Sequence, residues 1–218
     1  MLASESDMSV EFEASRVTVR RALELLRQEG LVDSRQGFGW FVAGVPVRQS
    51  LQRLGTIESE VEGVGQLSER RVAEFAFERP SPHVDAVFGG VEQVLRVKRV
   101  NLADGEPFAV VTVWCPAELG AHLSRRDVER RPFYELLGVA LLGATQTIGA
   151  DAADDDHAEL LGIPVGAPVL RCQRVTTDRN RAPVLLSEHV FPAHRTEFVV
   201  DLPQAAPSMT PTGLRLVD

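Results

Sequence analysis

Residues 15–44 read SRVTVRRALELLRQEGLVDSRQGFGWFVAG. Ser15 is placed to cap a helix, because its hydroxyl can accept a backbone N–H of the first turn. The pattern predicts a helix running to about Glu29, with Gly30 as the left-handed residue that ends it. Val19, Ala22, Leu23 and Leu26 follow the i, i+3, i+4, i+7 spacing of a buried face. At about 100° per residue, Arg16, Arg20 and Arg27 fall within roughly 40° of one another, a cationic stripe beside the apolar one. Residues 31–35 and 40–42 then read as two short strands. The hairpin between them, residues 36–39, carries two glycines, which tolerate the positive φ of a tight turn.

Helix, strand, glycine-rich tip and strand is the order of a recognition helix and wing. A recognition helix places its N-terminal residues on base edges in the major groove. Arginine suits that position, since its guanidinium fork can bond guanine bidentately or grip phosphate. Gly37 at the tip has no side chain to hold the backbone away from a duplex. The same residues also fit an amphipathic helix with solvated arginines and an ordinary hairpin.

The wording of the stretch resembles the DNA-binding domain of the GntR family of bacterial transcription regulators. Leu2-Ala3-Ser4-Glu5 matches the opening LPSE of that family. Residues 15–23, SRVTVRRAL, match its centre, and residues 29–42 match its wing. The resemblance implies that Ser15, Arg16, Thr18 and Arg20 touch DNA from the helix, and Gly37 from the wing with Arg35 beside it. Ser6 stands where the family usually has arginine, which would weaken one backbone contact, and Trp40 stands where it has threonine. Family members carry a further helix before this point. The head is therefore expected to lack its first helix and to expose apolar faces.

Composition bounds the rest. A chain of 218 residues holds one large or two small domains, and 44% hydrophobic with 25% charged residues is ordinary for a globular protein. No apolar run reaches membrane-spanning length, and the N-terminus lacks the basic and apolar regions of a secretory signal. Two cysteines, Cys115 and Cys172, form no disulfide framework or zinc motif, and read as buried reduced thiols in strands. A cytoplasmic location follows. Net charge is −8 overall, and residues 1–44 hold 5 arginines against 7 acids, a net of −2. The local field matters more to a phosphate backbone than the total. The arginines lie on one helix and beside the wing, so DNA binding is expected to be weak for one head, salt-dependent, and strengthened by pairing two heads.

Around that stretch, residues 1–14 read as a short helix capped at Ser4 and a turn near Glu13-Ala14. Residues 45–70 read as a polar, glycine-punctuated linker. Beyond it, strands are expected over residues 72–78, 92–102, 108–115, 145–150, 169–177 and 184–191. Helices are expected over 81–88, in pieces of 119–142, and over 154–161. Asp104-Gly105 and residues 178–181 mark hairpin turns. Hairpins with inserted helices make an α+β domain. The tail, 204–218, is rich in Pro, Ser and Thr and reads as flexible. The division expected is a DNA-binding head over 1–44, a linker over 45–70, an effector domain over 71–203 and the tail.

Residues 99–107 (RVNLADGEP), 133–137 (FYELL), 158–170 (AELLGIPVGAPVL) and 177–183 (TDRNRAP) with 191–198 resemble the UTRA effector domain of the HutC subfamily. That domain has a chorismate-lyase-like fold and binds small effectors beside its sheet. In phosphosugar-sensing members, two arginines two apart on a strand grip a phosphate. Arg99 matches the first and Asn101 replaces the second. Tyr134 matches a tyrosine of the site, Pro132 replaces its serine, and Phe191 replaces a later tyrosine. Val111 and Leu185 replace two acidic positions. Strand parity puts Arg99 with Asn101 on one face, and Leu185, Ser187, His189 and Phe191 on one face. The expectation is a more apolar cleft with Arg99, Asn101, Tyr134 and His189 as polar points against Phe191. Arg99 would hold a carboxylate or phosphonate, or else bridge a surface acid.

Asp154-Asp155-Asp156-His157 reads as an acidic helix start with an Asp156–Glu159 capping box rather than a metal site. No metal or cofactor is expected, and no G-x-S-x-G, P-loop or His-Glu metal motif points to an enzyme. The favoured reading is a repressor: a homodimer on double-stranded operator DNA, tuned by a small, anionic effector. The alternatives are an effector-binding protein with an incomplete head, and a lyase-like enzyme.

Overall fold

The computed structural model describes residues 2–29, 31–35, 39–42, 47–50 and 67–201, except the side chains of 33, 35 and 47–50. Helix α1 (Glu5–Glu11) starts at a capping box. Ser4 Oγ accepts from the Asp7 N–H at 3.1 Å, and the Asp7 carboxylate accepts from the Ser4 N–H at 3.3 Å. Glu13, at φ 48°, turns the chain into α2 (Arg16–Gln28). Ser15 caps α2 as its sequence demands, its Oγ accepting from the Thr18 N–H at 3.1 Å. Strands β1 (Val32–Arg35) and β2 (Gly39–Val42) pair antiparallel, with Val32 opposite Val42.

Met8, Val19, Leu23, Val32 and Trp40 make the small core of this head. The buried face of α2 is narrower than its spacing suggests. Val19 and Leu23 are buried, but Ala22 and Leu26 are exposed. The reason is geometric: α1 and the β1–β2 hairpin meet α2 on one narrow side. Val10, Phe12, Leu25 and Leu31 also face solvent.

The stretch expected to be linker contains a strand. β3 (Val47–Ser50) pairs in parallel with β10 (Thr196–Val199), Val47 opposite Thr196. Its partner is distant in the chain, so local pattern does not announce it. Next to this pair, the Phe41 ring of β2 lies 4.8 Å from the His194 ring, tilted at 56°. The expected tail lies outside the described residues.

The centre of the molecule is a six-stranded antiparallel sheet. It comprises β4 (Ser68–Glu78), β5 (Val94–Ala103), β6 (Glu106–Pro116), β7 (Leu141–Ala152), β8 (Pro168–Asp178) and β9 (Pro183–Pro192), in the spatial order β4-β5-β6-β9-β8-β7. Asp104 and Gly105, at φ 51° and 82°, close the β5–β6 hairpin with the two positive φ values a primed turn needs. Helix α3 (Pro82–Phe88) follows β4, capped by Ser81 with Pro82 in its first turn. Three short helices, α4 (Ala117–Gly120), α5 (Arg125–Arg130) and α6 (Phe133–Leu136), follow β6.

Helix α7 (Asp155–Leu161) joins β7 to β8 and ends at Gly162, φ 63°. Its cap corrects the sequence reading. Asp154 Oδ1 accepts from the His157 N–H at 2.8 Å. Asp154 has the extended backbone of a cap, whereas Asp156 already lies in the helix and instead pairs with Lys98 of β5.

Helices cover both faces of the sheet. On one face, Leu123, Val128, Phe133 and Leu136 pack over Leu95, Val97, Val111, Val113 and Cys172. On the other, Ala158 and Leu161 of α7 cover Val100, Leu102, Val110 and Val190, and Val84 of α3 covers Val94, Trp114 and Leu186. Cys115 and Cys172 are buried free thiols, and burial pushes both up to about 12. Among the described residues no helix is long and apolar enough to cross a membrane.

Candidate DNA-binding face and effector site

The N-terminal part of α2 presents Ser15, Arg16, Thr18 and Arg20 to solvent. Ser15 Oγ is also 2.8 Å from Thr18 Oγ1, so the two hydroxyls fix each other at the helix start. Arg20 is not loose. Its Nε donates to Glu5 Oε1 at 3.1 Å and its Nη2 donates to Glu5 Oε2 at 2.9 Å. Trp40 Nε1 donates to the same Glu5 Oε1 at 3.1 Å. These bonds, Arg20's first, hold the Glu5 carboxyl below the ordinary carboxylate range, and Glu5 in turn raises Arg20. The tryptophan that departs from the family's threonine thus has a defined partner. Arg27, expected in the same stripe, donates instead to Ser34 Oγ of β1 at 3.4 Å. Gly37 and the Arg35 side chain lie outside the described residues.

Register settles which strand residues share a face. One cross-strand row runs Val72, Arg99, Val111, His189, Cys172, Ile148. The next runs Val97, Val113, Ser187, Arg174, Gln146. Arg99, Asn101 and Phe191 are therefore on the same face as His189, beneath the layer of α4 to α6. Arg99 is 6% exposed and Asn101 0%, so both lie inside the sheet's covered face. Arg99 Nε and Nη1 and Asn101 Oδ1 are buried without a hydrogen bond among the described residues, although each residue makes another polar or ring contact. His189 Nε2 lies 3.0 Å from Ser187 Oγ, and its ring stacks on Phe191 at 6.0 Å and 18°.

Tyr134, on α6, reaches this face through a residue the sequence reading passed over. Arg174 Nη1 donates to Tyr134 Oη at 3.0 Å, and Arg174 Nε donates to Gln146 Oε1 at 2.7 Å. Arg174 shares strand parity with Cys172, a signal that becomes readable only once β8 is known to lie beside β9.

The Asp154, Asp156 and His157 group offers ligand atoms within 4.8 Å of one another. Asp154 is occupied as a cap and lies 2.6 Å from His157 Nδ1. Asp156 holds the Lys98 ammonium, whose charge opposes a cation there. These three residues have structural duties.

A winged helix-turn-helix head on an α+β domain with a polar, half-apolar sheet face defines the class of one-component DNA-binding regulators controlled by a small molecule. The comparisons agree. The bacterial regulatory protein gntR family matches residues 1–42, and the UTRA domain family matches residues 65–197. The chain belongs to the GntR family, in the group that carries a UTRA domain.

It is 30% identical to the regulator Rv0792c of Mycobacterium tuberculosis, over 94% of this chain and 79% of that protein. It is 28% identical to the transcriptional repressor NagR of Bacillus subtilis, over 91% and 84%. The histidine utilization repressor of Pseudomonas putida is 28% identical over 88% and 79%. The crystal structure of PhnF from Mycobacterium smegmatis superposes with a TM-score of 0.68 at 25% identity, over 94% of this chain and 92% of that one. The protein is therefore a transcription regulator that binds DNA and a small effector, and not an enzyme.

Proposed function

We propose that this regulator is a repressor acting as a homodimer on operator DNA. Its DNA-binding head spans 1–44 and its effector domain 71–203, joined by a 45–70 segment that includes β3 and the start of β4. Ser15, Arg16, Thr18 and Arg20 read and grip the duplex, with Arg35 and Gly37 at the wing. An anionic effector, a carboxylate or phosphonate, sits between the sheet and the α4–α6 layer. Arg99 holds its charge, Asn101, Tyr134 and His189 supply polar contacts, and Phe191 supplies an apolar wall. Binding changes the spacing of two heads, by as much as the effector's affinity differs between the two arrangements.

The observation that supports the effector reading is the register, which sets Arg99, Asn101, His189 and Phe191 on one sheet face beneath the α4–α6 layer, with Arg174 joining Tyr134 to that face. The repressor reading is supported by two relatives that are named repressors. Pairing is supported by β7, an edge strand of 12 residues with none buried and no charge before Asp151, the kind of edge that takes a second strand.

Thermal-shift screening of the full chain against carboxylates, phosphonates and phosphosugars tests the effector reading. A shift with a carboxylate or phosphonate that Arg99→Met abolishes is expected. A strong shift with glucosamine 6-phosphate would show that the substitutions at Asn101, Val111 and Leu185 have been misread.

A further inference from the structure

The geometry points to Glu5 and Trp40 as positioning residues that turn Arg20 into a reader of one guanine rather than a grip on phosphate. This rests on the placement of Arg20 at the duplex proposed above. A guanidinium has two usable forks: a side fork of Nε and Nη2, and an end fork of Nη1 and Nη2. Glu5 fills the side fork with two hydrogen bonds of 3.1 and 2.9 Å. The Arg20 side chain is nevertheless 64% exposed, which leaves room for its end fork to meet a base edge. An end fork held in one plane matches the paired acceptors O6 and N7 of guanine in the major groove.

Glu5 itself cannot wander. It sits in the first turn of α1, only 22% exposed, and the Trp40 indole N–H pins its Oε1. Trp40 is anchored in turn, buried at 9% among Met8, Val19, Leu23 and Val32. The hub thus ties α1, α2 and the wing strand to one oxygen pair. Its second effect is electrostatic. The Glu5 charge offsets that of Arg20, so the pair adds little attraction for phosphates in random sequence. Specificity is raised from both sides: the guanine contact is prearranged, and the unspecific one is suppressed.

The test uses the full chain and a pool of duplexes with a randomised central segment. Bound duplexes are sequenced, and one selected duplex and its scrambled counterpart are titrated by fluorescence anisotropy at several salt concentrations. Wild type is expected to fix a guanine at a position that Arg20→Met leaves open. Glu5→Gln keeps an acceptor for Trp40 but removes the charge, and Trp40→Phe keeps the packing but removes the donor. Both are expected to relax that one position by roughly tenfold and to leave the others unchanged. Glu5→Gln is also expected to bind the scrambled duplex more tightly, with a salt slope steeper by about one.

Selection of the same base at full strength by both variants overturns the inference. So does an equal loss at every position, which marks a merely structural role. If Arg20→Met keeps every preference, the placement of Arg20 in the groove fails as well. If Trp40→Phe melts below the assay temperature, Glu5→Gln alone decides.

Discussion

Arg174 Nη1 donates to Tyr134 Oη at 3.0 Å, and this bond ties the helical layer to the sheet across the proposed effector site. Tyr134→Phe deletes the acceptor and leaves the part-buried guanidinium with one bond fewer. The expected cost is about 1 kcal/mol in urea unfolding of the full chain. The same variant should weaken the effector's thermal shift, whereas a substitution of exposed Glu118 should not.

Ser15 has two jobs that substitution can separate. Its Oγ caps α2 through the Thr18 N–H, and it faces the duplex in the proposed complex. Ser15→Ala should destabilise the head by about 1 kcal/mol. Ser15→Asp keeps the cap and suits the helix dipole, but sets a negative charge against phosphate. Circular dichroism melting should rank Ser15→Asp above Ser15→Ala, and DNA titration should rank it below wild type. Equal DNA affinity for wild type and Ser15→Asp would remove Ser15 from the contact surface.

Phe191 is 1% exposed and packs edge-on against Phe198 of β10 at 5.8 Å. It is a core residue before it is a wall for any ligand. Phe191→Ala should cost about 3–5 kcal/mol. Phe191→Leu, with less volume lost, should retain a folded chain in which the effector's contribution can be read. A cost near zero for Phe191→Ala would contradict its burial.

Acid should loosen α7. The Asp154 carboxyl is held below its ordinary value of 3.8, first by the His157 backbone N–H, and burial opposes this only in part. Its stabilising contribution is therefore complete above the unfolded value and disappears as pH falls through the folded one. Asp154→Asn keeps a neutral cap acceptor. Between about pH 4 and pH 2 the urea midpoint of wild type should fall more steeply than that of Asp154→Asn. Parallel curves would assign the acid sensitivity to other carboxylates.

What the sequence made legible was whatever acts within a few residues. The Ser15 cap, the Ser81-Pro82 helix start and the Asp104-Gly105 turn each depend on atoms three or four positions apart, so their residue types announce them. Strand parity likewise placed Arg99 with Asn101 and Ser187 with His189. What could not be read depended on register or distant partners. β3 exists because β10 lies beside it. Arg174 joins the site because β8 borders β9. Glu5 claims Arg20 from 15 positions away, and Trp40 reaches Glu5 from 35. The misassigned cap at Asp156 has the same origin: Lys98, on another strand, takes its carboxylate.

The parallel pairing of β3 with β10 has a consequence for the order in which the protein comes into being. β3 leaves the ribosome directly behind the head, while β10 emerges only after the whole six-stranded sheet. Until then the newborn head has its own small core but no mooring at its exit. Competence to meet DNA therefore precedes obedience to the ligand, and the two are joined only once β10 has been made.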